Sequence, residues 1–127
     1  MQISKIMRRH VGIVRPHDTV QRAAATMVES NSASVPVCDE GRLVGVMADR
    51  DIIARVAAAG RDPAKTQVRD VMSRDPVYCF EDESERHISE EMANLHVSHL
   101  PVLNRSGRVV GMAVLEDVLR APATEEL

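Results

Sequence analysis

The sequence has no tryptophan, and Tyr78 and Phe80 are its only tyrosine and phenylalanine. Any core must be built from Val, Ile, Leu, Met and Ala. The same scarcity argues against single-stranded nucleic-acid binding, because such proteins offer aromatic side chains on which bases stack. A basic surface is missing too. The 16 Lys and Arg against 19 Asp and Glu leave a net charge of −3, the wrong balance for tracking phosphates. No apolar run approaches the ~20 residues of a membrane span. Met1-Gln2-Ile3-Ser4-Lys5 has no apolar stretch of the kind a secretory signal needs. Neither a nucleic-acid nor a membrane partner is expected. Cysteine is limited to Cys38 and Cys79, too few for a disulfide scaffold. Both lie in apolar runs and read as buried, reduced thiols, with the cytoplasm as the default location.

What remains is an ordinary globular balance: 127 residues, 44% apolar and 28% charged, enough for one compact domain or two small co-dependent ones. The informative feature is an internal repeat. At a shift of 65 positions Met7 falls on Met72, Met27 on Met92, Pro36 on Pro101 and Val37 on Val102. One extra residue in the turn of the second copy changes the shift to 66. Gly41, Arg42, Val44, Gly45 and Asp51 then meet Gly107, Arg108, Val110, Gly111 and Asp117. The copies divide as residues 1–63 and 64–127.

Each copy reads as strand, helix, strand, strand, helix. The opening strands are Val11–Val14 and Val77–Phe80. Helices follow over Thr19–Ser30 and Ser84–Leu95, where Val20, Ala24, Met27 and Ile88, Met92, Leu95 recur at helical spacing. Asp18 or Thr19, and Ser84, are candidate N-caps. Two hairpins, Ser34–Cys38 with Leu43–Met47 and His99–Leu103 with Val109–Val114, are joined by Gly-containing turns. Closing helices run from Asp49 to about Ala59 and from Glu116 to about Arg120, and Gly60-Arg61-Asp62-Pro63 ends the first copy. The fold class is α+β: two β-α-β-β-α repeats packed about a pseudo-two-fold axis, completing one core that a single copy of ~60 residues would leave small.

Several doubled features resemble the tandem domains named after cystathionine beta-synthase, a CBS pair or Bateman module. They are Ile6-Met7 and Asp70-Val71-Met72; Ser34-Val35-Pro36-Val37 and His99-Leu100-Pro101-Val102; Gly41–Gly45 and Gly107–Gly111; and an Asp six residues beyond the second glycine, Asp51 and Asp117. The resemblance covers about Ile3 to Leu119. It implies a regulatory ligand-binding module and no enzyme. It implies an adenosine-containing ligand (AMP, ATP, NAD or S-adenosylmethionine) in clefts between the repeats, no required cofactor, and a homodimer acting on an effector in trans.

The segment Gly45–Asp51 leaves a strand and enters a helix. Open first-turn amides and the positive end of the dipole suit a phosphate. Arg50 would neutralise it, and Asp51 would accept hydrogen bonds from a ribose diol. The alternative is that Asp49 is an N-cap and Asp51 a first-turn acid favouring the dipole. The family's motif carries Ser or Thr three residues before this Asp, where Ala48 and Val114 stand here. Glu116 beside Asp117 would repel phosphate, so the Asp51 cleft ranks first. By position, the resemblance places one adenine near Met72, Pro76 and Val77, and the other near Met7, Val11 and Gly12. Among the methionines, Met27 and Met92 read as core and Met47 as lining the cleft. It places phosphate or ribose contacts at Ser98 and His99, opposite Ser34 and Ala33. The alternative for His99 is a half-buried strand residue.

Other signals carry less. His87, His96 and His99 lack a completing ligand set, so no metal is expected. Arg8-Arg9-His10 reads as a solvated turn, with a rim contact to ligand phosphate as the alternative. Glu81–Glu85 reads as a solvated helix start. The competing function is a degenerate, ligand-free pair acting as a structural or dimerisation module.

Overall fold

The structure, a computed structural model, describes residues 1–121. Its elements are α1 (Val20–Ser30), β1 (Ser34–Asp39), β2 (Arg42–Ala48), α2 (Asp49–Ile52, continued by a π-helical turn over Ile53–Ala57 as one closing helix), α3 (Val68–Val71), β3 (Cys79–Phe80), α4 (Glu85–Leu95), β4 (His99–Leu103), β5 (Val109–Val114) and α5 (Leu115–Arg120). The class is α+β, with two separate sheets.

The compact units are cut differently from the sequence copies. One unit is Gly12–Pro76; the other joins Met1–Val11 to the chain from Val77 onward. Each has its own buried cluster in place of the single core expected. In the first, Val14, Val20, Ala23, Met27, Val35, Val37, Met47 and Val56 are completed by Val68, Val71 and Met72 from beyond residue 63. In the second, Ile3 and Met7 from the start of the chain join Cys79, Ile88, Met92, Leu100, Val102, Ala113 and Val118. A copy of this length buries too little alone, and here the opening segment of the other copy closes its core. Both opening segments contain a short helical turn that sequence periodicity does not show, Ile3–Lys5 and α3 (Val68–Val71). One turn is too short to carry a 3.6-residue pattern.

Both clusters are aliphatic, with no ring among their members. The two aromatic residues meet edge to face at 5.7 Å, with the Arg105 guanidinium 4.1 Å over Phe80. Tyr78 is 49% exposed.

Local chemistry explains the elements. Thr19 Oγ1 accepts the N–H of Arg22 at 3.1 Å and Ser84 Oγ that of His87 at 3.1 Å, so each helix starts on a hydroxyl cap. Both end on a left-handed residue, Asn31 at φ 51° and His96 at φ 56°. In each hairpin the register shifts at an equivalent point, Val37/Cys38 and Val102/Leu103. The opening strands are shorter than the apolar runs suggest. Only Val14 pairs, with Val37, and β3 is two residues long. Ile13, Val77 and Tyr78 are exposed, so those runs do not lie wholly on a buried face. Just past Val14 the Arg15 N–H turns to the Asp18 carboxylate at 2.8 Å; within β3 the Phe80 N–H goes to Glu83 at 2.7 Å, while the Glu81 N–H still reaches the Leu103 carbonyl at 2.9 Å. Glu83 therefore has a structural partner within a run read as solvated.

Cys38 and Cys79 are buried free thiols. Burial pushes both up, Cys79 to about 12. Because the thiolate is the nucleophile, native protein should react with a thiol-specific disulfide reagent at pH 8 at least about a hundredfold more slowly than urea-unfolded protein. Equal rates would show the sites to be open.

Candidate functional site

In each unit the last strand of the hairpin ends, the chain enters the closing helix, and the opening segment of the other copy runs beside both. In the first unit Ser73 pairs with Val46 through both backbone bonds, at 2.9 and 3.0 Å. A Cβ on Gly45 would stand 2.8 Å from the Ser73 carbonyl oxygen and 2.7 Å from the Met72 sulfur, so the close approach needs glycine. The second unit repeats this. Arg8 pairs with Met112 at 2.9 Å both ways, and a Cβ on Gly111 would stand 2.9 Å from the Arg8 carbonyl. The glycines of the Gly-Arg-Φ-Val-Gly hairpins thus hold the segment that completes each site.

Asp51 lies where these pieces meet. Its Oδ2 accepts the N–H of Ala48 at 2.8 Å, and its Oδ1 accepts the hydroxyl of Ser73 at 3.1 Å. Arg55 Nη1 stands 3.4 Å from the same Oδ1 and also donates to the carbonyls of Val71 at 2.9 Å and Met72 at 3.3 Å. The Asp51 side chain is 11% exposed. A buried carboxylate needs partners of this kind, and here they tie α2 to residues 71–73.

The open first turn expected at Gly45–Asp51 is closed. The N–H groups of Ala48, Asp49 and Arg50 go to Asp51 Oδ2, the Ala33 carbonyl (2.9 Å) and Asp49 Oδ1 (2.7 Å). The N-cap is Ala48, not Asp49. Two first-turn acids and the Ala33 carbonyl have satisfied three of the donors that a phosphate would use. The missing hydroxyl at position 48 leaves only the return half of a capping box. In the second unit Leu115 N–H goes to the Ser98 carbonyl at 2.9 Å, the counterpart of Asp49 with Ala33.

Asp117 has a different partner. Arg8 Nε donates to its Oδ2 at 2.8 Å and Nη2 approaches Oδ1 at 3.4 Å. The two side chains are 39% and 27% exposed. The Arg8 guanidinium holds the carboxyl below the usual carboxylate range, with Arg120 and His99 adding to the effect. The pair therefore contributes stability above the ordinary carboxylate pKa and loses it as pH falls through the lowered value. Arg8 is thus a partner of Asp117, in place of the solvated turn read from Arg8-Arg9-His10. Its signal was in the register: Arg8 and Ser73 are equivalent at the 65-residue shift, each following a singled-out methionine. Arg55 carried a different signal, its i,i+4 spacing from Asp51, which suits a helical ion pair.

The other expected residues divide. Met72 and Ala48 share the unit of Asp51; Ser98, His99 and Val114 share that of Asp117. Ser98 Oγ lies 2.9 Å from His99 Nδ1, and His99 pairs with Val114 across the sheet. Met47 is fully buried in its cluster, a correction to its expected place lining a cleft: its position on β2 turns inward. Ser34 is buried, Pro76 and Val11 are half-buried, and Arg50 and Glu116 are exposed, Glu116 pairing with Arg120 at 2.7 Å. Val77 belongs to the unit of Asp117 and Gly12 to that of Asp51. His87 sits between Glu83 at 3.3 Å and Glu91 at 3.5 Å, and His96 is exposed. Among the described residues no group of three His, Cys, Asp or Glu is placed to hold a metal, and no helix is long and apolar enough to cross a membrane.

Comparison with known proteins gives a consistent picture. The model of the CBS domain matches twice, over residues 3–58 and 68–124. The chain is 34% identical over 116 residues to the CBS domain-containing protein YhcV of Bacillus subtilis, covering 91% of this chain and 81% of that one. It is 33% identical over 117 residues to hypoxic response protein 1 of Mycobacterium tuberculosis, covering 91% and 80%. Among solved structures it is similar to the CBS domain pair of protein MJ0100 in complex with 5′-methylthioadenosine and S-adenosyl-L-methionine. There the TM-score is 0.82, the identity 27% and the coverage 94% of both chains.

Proposed function

The chain belongs to the CBS-domain family, with two copies of the domain in tandem, and on that premise we propose that it is a regulatory module binding an adenosine-containing ligand. The observation that carries this reading is the complex of the similar MJ0100 pair with 5′-methylthioadenosine and S-adenosylmethionine. Asp51 and Asp117 are the ribose acceptors. A carboxylate has about four acceptor positions, so the donors already present leave room for a diol, most openly at Asp117. The base lies beside Met72 and Pro76 in one unit, and beside Met7 and Val11 in the other. AMP, ATP, NAD and S-adenosylmethionine are the candidate ligands. Occupancy signals in trans, through the geometry of a homodimer or of an effector protein, from the cytoplasm.

Titration with AMP, ADP, ATP, NAD, S-adenosylmethionine and 5′-methylthioadenosine tests this. A ligand at a hundred times its dissociation constant stabilises the fold by about 2.7 kcal/mol, so at least one should raise the melting temperature by several degrees. Asp117→Asn and Asp51→Asn should each weaken their site about tenfold or more, read by calorimetry. If no compound shifts the melting temperature at millimolar concentration, the reading fails. A ligand-free structural module then stands, a reading favoured by the hydroxyl-less Ala48 and Val114 and by the occupied oxygens of Asp51.

A further inference from the structure

Equivalent positions of the repeat arm the two sites differently. Position 8 carries Arg and position 73 carries Ser, and each reaches the Asp of its closing helix. Position 55 carries Arg, while its counterpart at the 66-residue shift is Ala121. In the first unit the cation is on the closing helix, held by the Val71 and Met72 carbonyls as well as by Asp51. In the second it is on the opening segment. Among the described residues the Arg8 guanidinium hydrogen-bonds only to Asp117. Its backbone is fixed by the two bonds to Met112, yet its side chain is 39% exposed. It can leave Asp117 by side-chain rotation alone, and a half-exposed pair of this kind is weakly held.

We propose that Arg8 determines the ligand specificity of the Asp117 site: its guanidinium occupies Asp117 in the free protein and passes to the anionic group of the ligand whose hydroxyls replace it there. The inference rests on the adenosine-binding reading above. A phosphate-bearing nucleoside supplies both halves of the exchange, a diol for the carboxylate and an anion for the fork of guanidinium donors. An uncharged nucleoside supplies only the first and leaves Arg8 without a partner. Ser73 supplies no charge and Arg55 is tied to two carbonyls, so the Asp51 site makes no such discrimination.

The test uses the full ¹⁵N-labelled chain, titrated with adenosine and with AMP. Amide signals of Ala113 and Leu115 are followed, so that binding at the Asp51 site is not counted. Wild type should take AMP at least about tenfold more tightly than adenosine. In Arg8→Ser and in Arg8→Gln, which keeps a polar side chain, that ratio should fall toward one, with adenosine binding at least as tightly as to wild type. Unchanged spectra away from residues 8 and 112–117 confirm that the variants fold. An AMP-to-adenosine ratio that is the same in all three proteins overturns the role of Arg8 and leaves the adenosine site standing. Binding by the variants alone overturns the exchange, since Arg8 would then only block. No binding by any of the three overturns both readings.

Discussion

Replacing Ile3 with alanine is expected to lower stability by about 2–5 kcal/mol, the range for a large-to-small change in a tightly packed core. Ile3 is fully buried in the cluster of Cys79, Ile88, Met92, Leu100 and Val102. Its N–H is bonded to the Glu83 carbonyl at 2.8 Å, and its own carbonyl accepts Met7 N–H at 2.9 Å. The surrounding wall therefore has little freedom to collapse into the space left. Val68, equivalent at the 65-residue shift and also fully buried, should respond in the same direction in the other unit. Urea denaturation measures both. The same packing bears on fragments. Residues 1–63 lack Val68, Val71 and Met72 and should not fold, whereas residues 12–76 keep every member of their cluster. A stably folded 1–63 fragment, or an Ile3→Ala midpoint equal to wild type, would show that the opening segments do not complete the cores.

Asp51→Ala is expected to cost about 2–4 kcal/mol, and Asp117→Ala less than about 1 kcal/mol, although the two residues occupy the same place in the repeat. Removing Asp51 strips acceptors from the Ala48 amide and the Ser73 hydroxyl and leaves Arg55 without its carboxylate. An unsatisfied donor in a buried setting costs ~1–3 kcal/mol, reduced here for the exposed end of Arg55. Removing Asp117 opens one half-exposed, solvent-screened ion pair, and such pairs are worth ~0–1 kcal/mol. Equal losses in the two variants would mean that Asp51 has no greater structural role than Asp117. The contrast also governs ligand experiments: a binding defect in Asp51→Ala mixes folding with recognition. Asparagine, which keeps one acceptor oxygen, is the better probe.

Much of this was legible in the residues. The hairpins Ser34–Asp39 with Arg42–Ala48 and His99–Leu103 with Val109–Val114 follow from apolar runs flanking glycine turns. The helices follow from their spacing and from Thr19 and Ser84. The opening strands were harder, because the run Val11–Val14 leaves Ile13 exposed, which a run of apolar letters does not disclose. The single helical turns at Ile3–Lys5 and Val68–Val71 were too short for any period to register.

The sequence by itself determined that this chain is a doubled α+β domain with aliphatic cores, because repeat register, hydrophobic period and cap residues are all readable from the letters. Only the tertiary structure decided that each core is closed by the opening segment of the other copy. It alone decided that Asp51 is bound by Ser73, and that Arg8 stands on Asp117. These are contacts between residues 22 and 109 positions apart, and no local preference encodes them. They exist because a copy of this size cannot bury its own apolar face, and the segment that covers it brings its polar residues along.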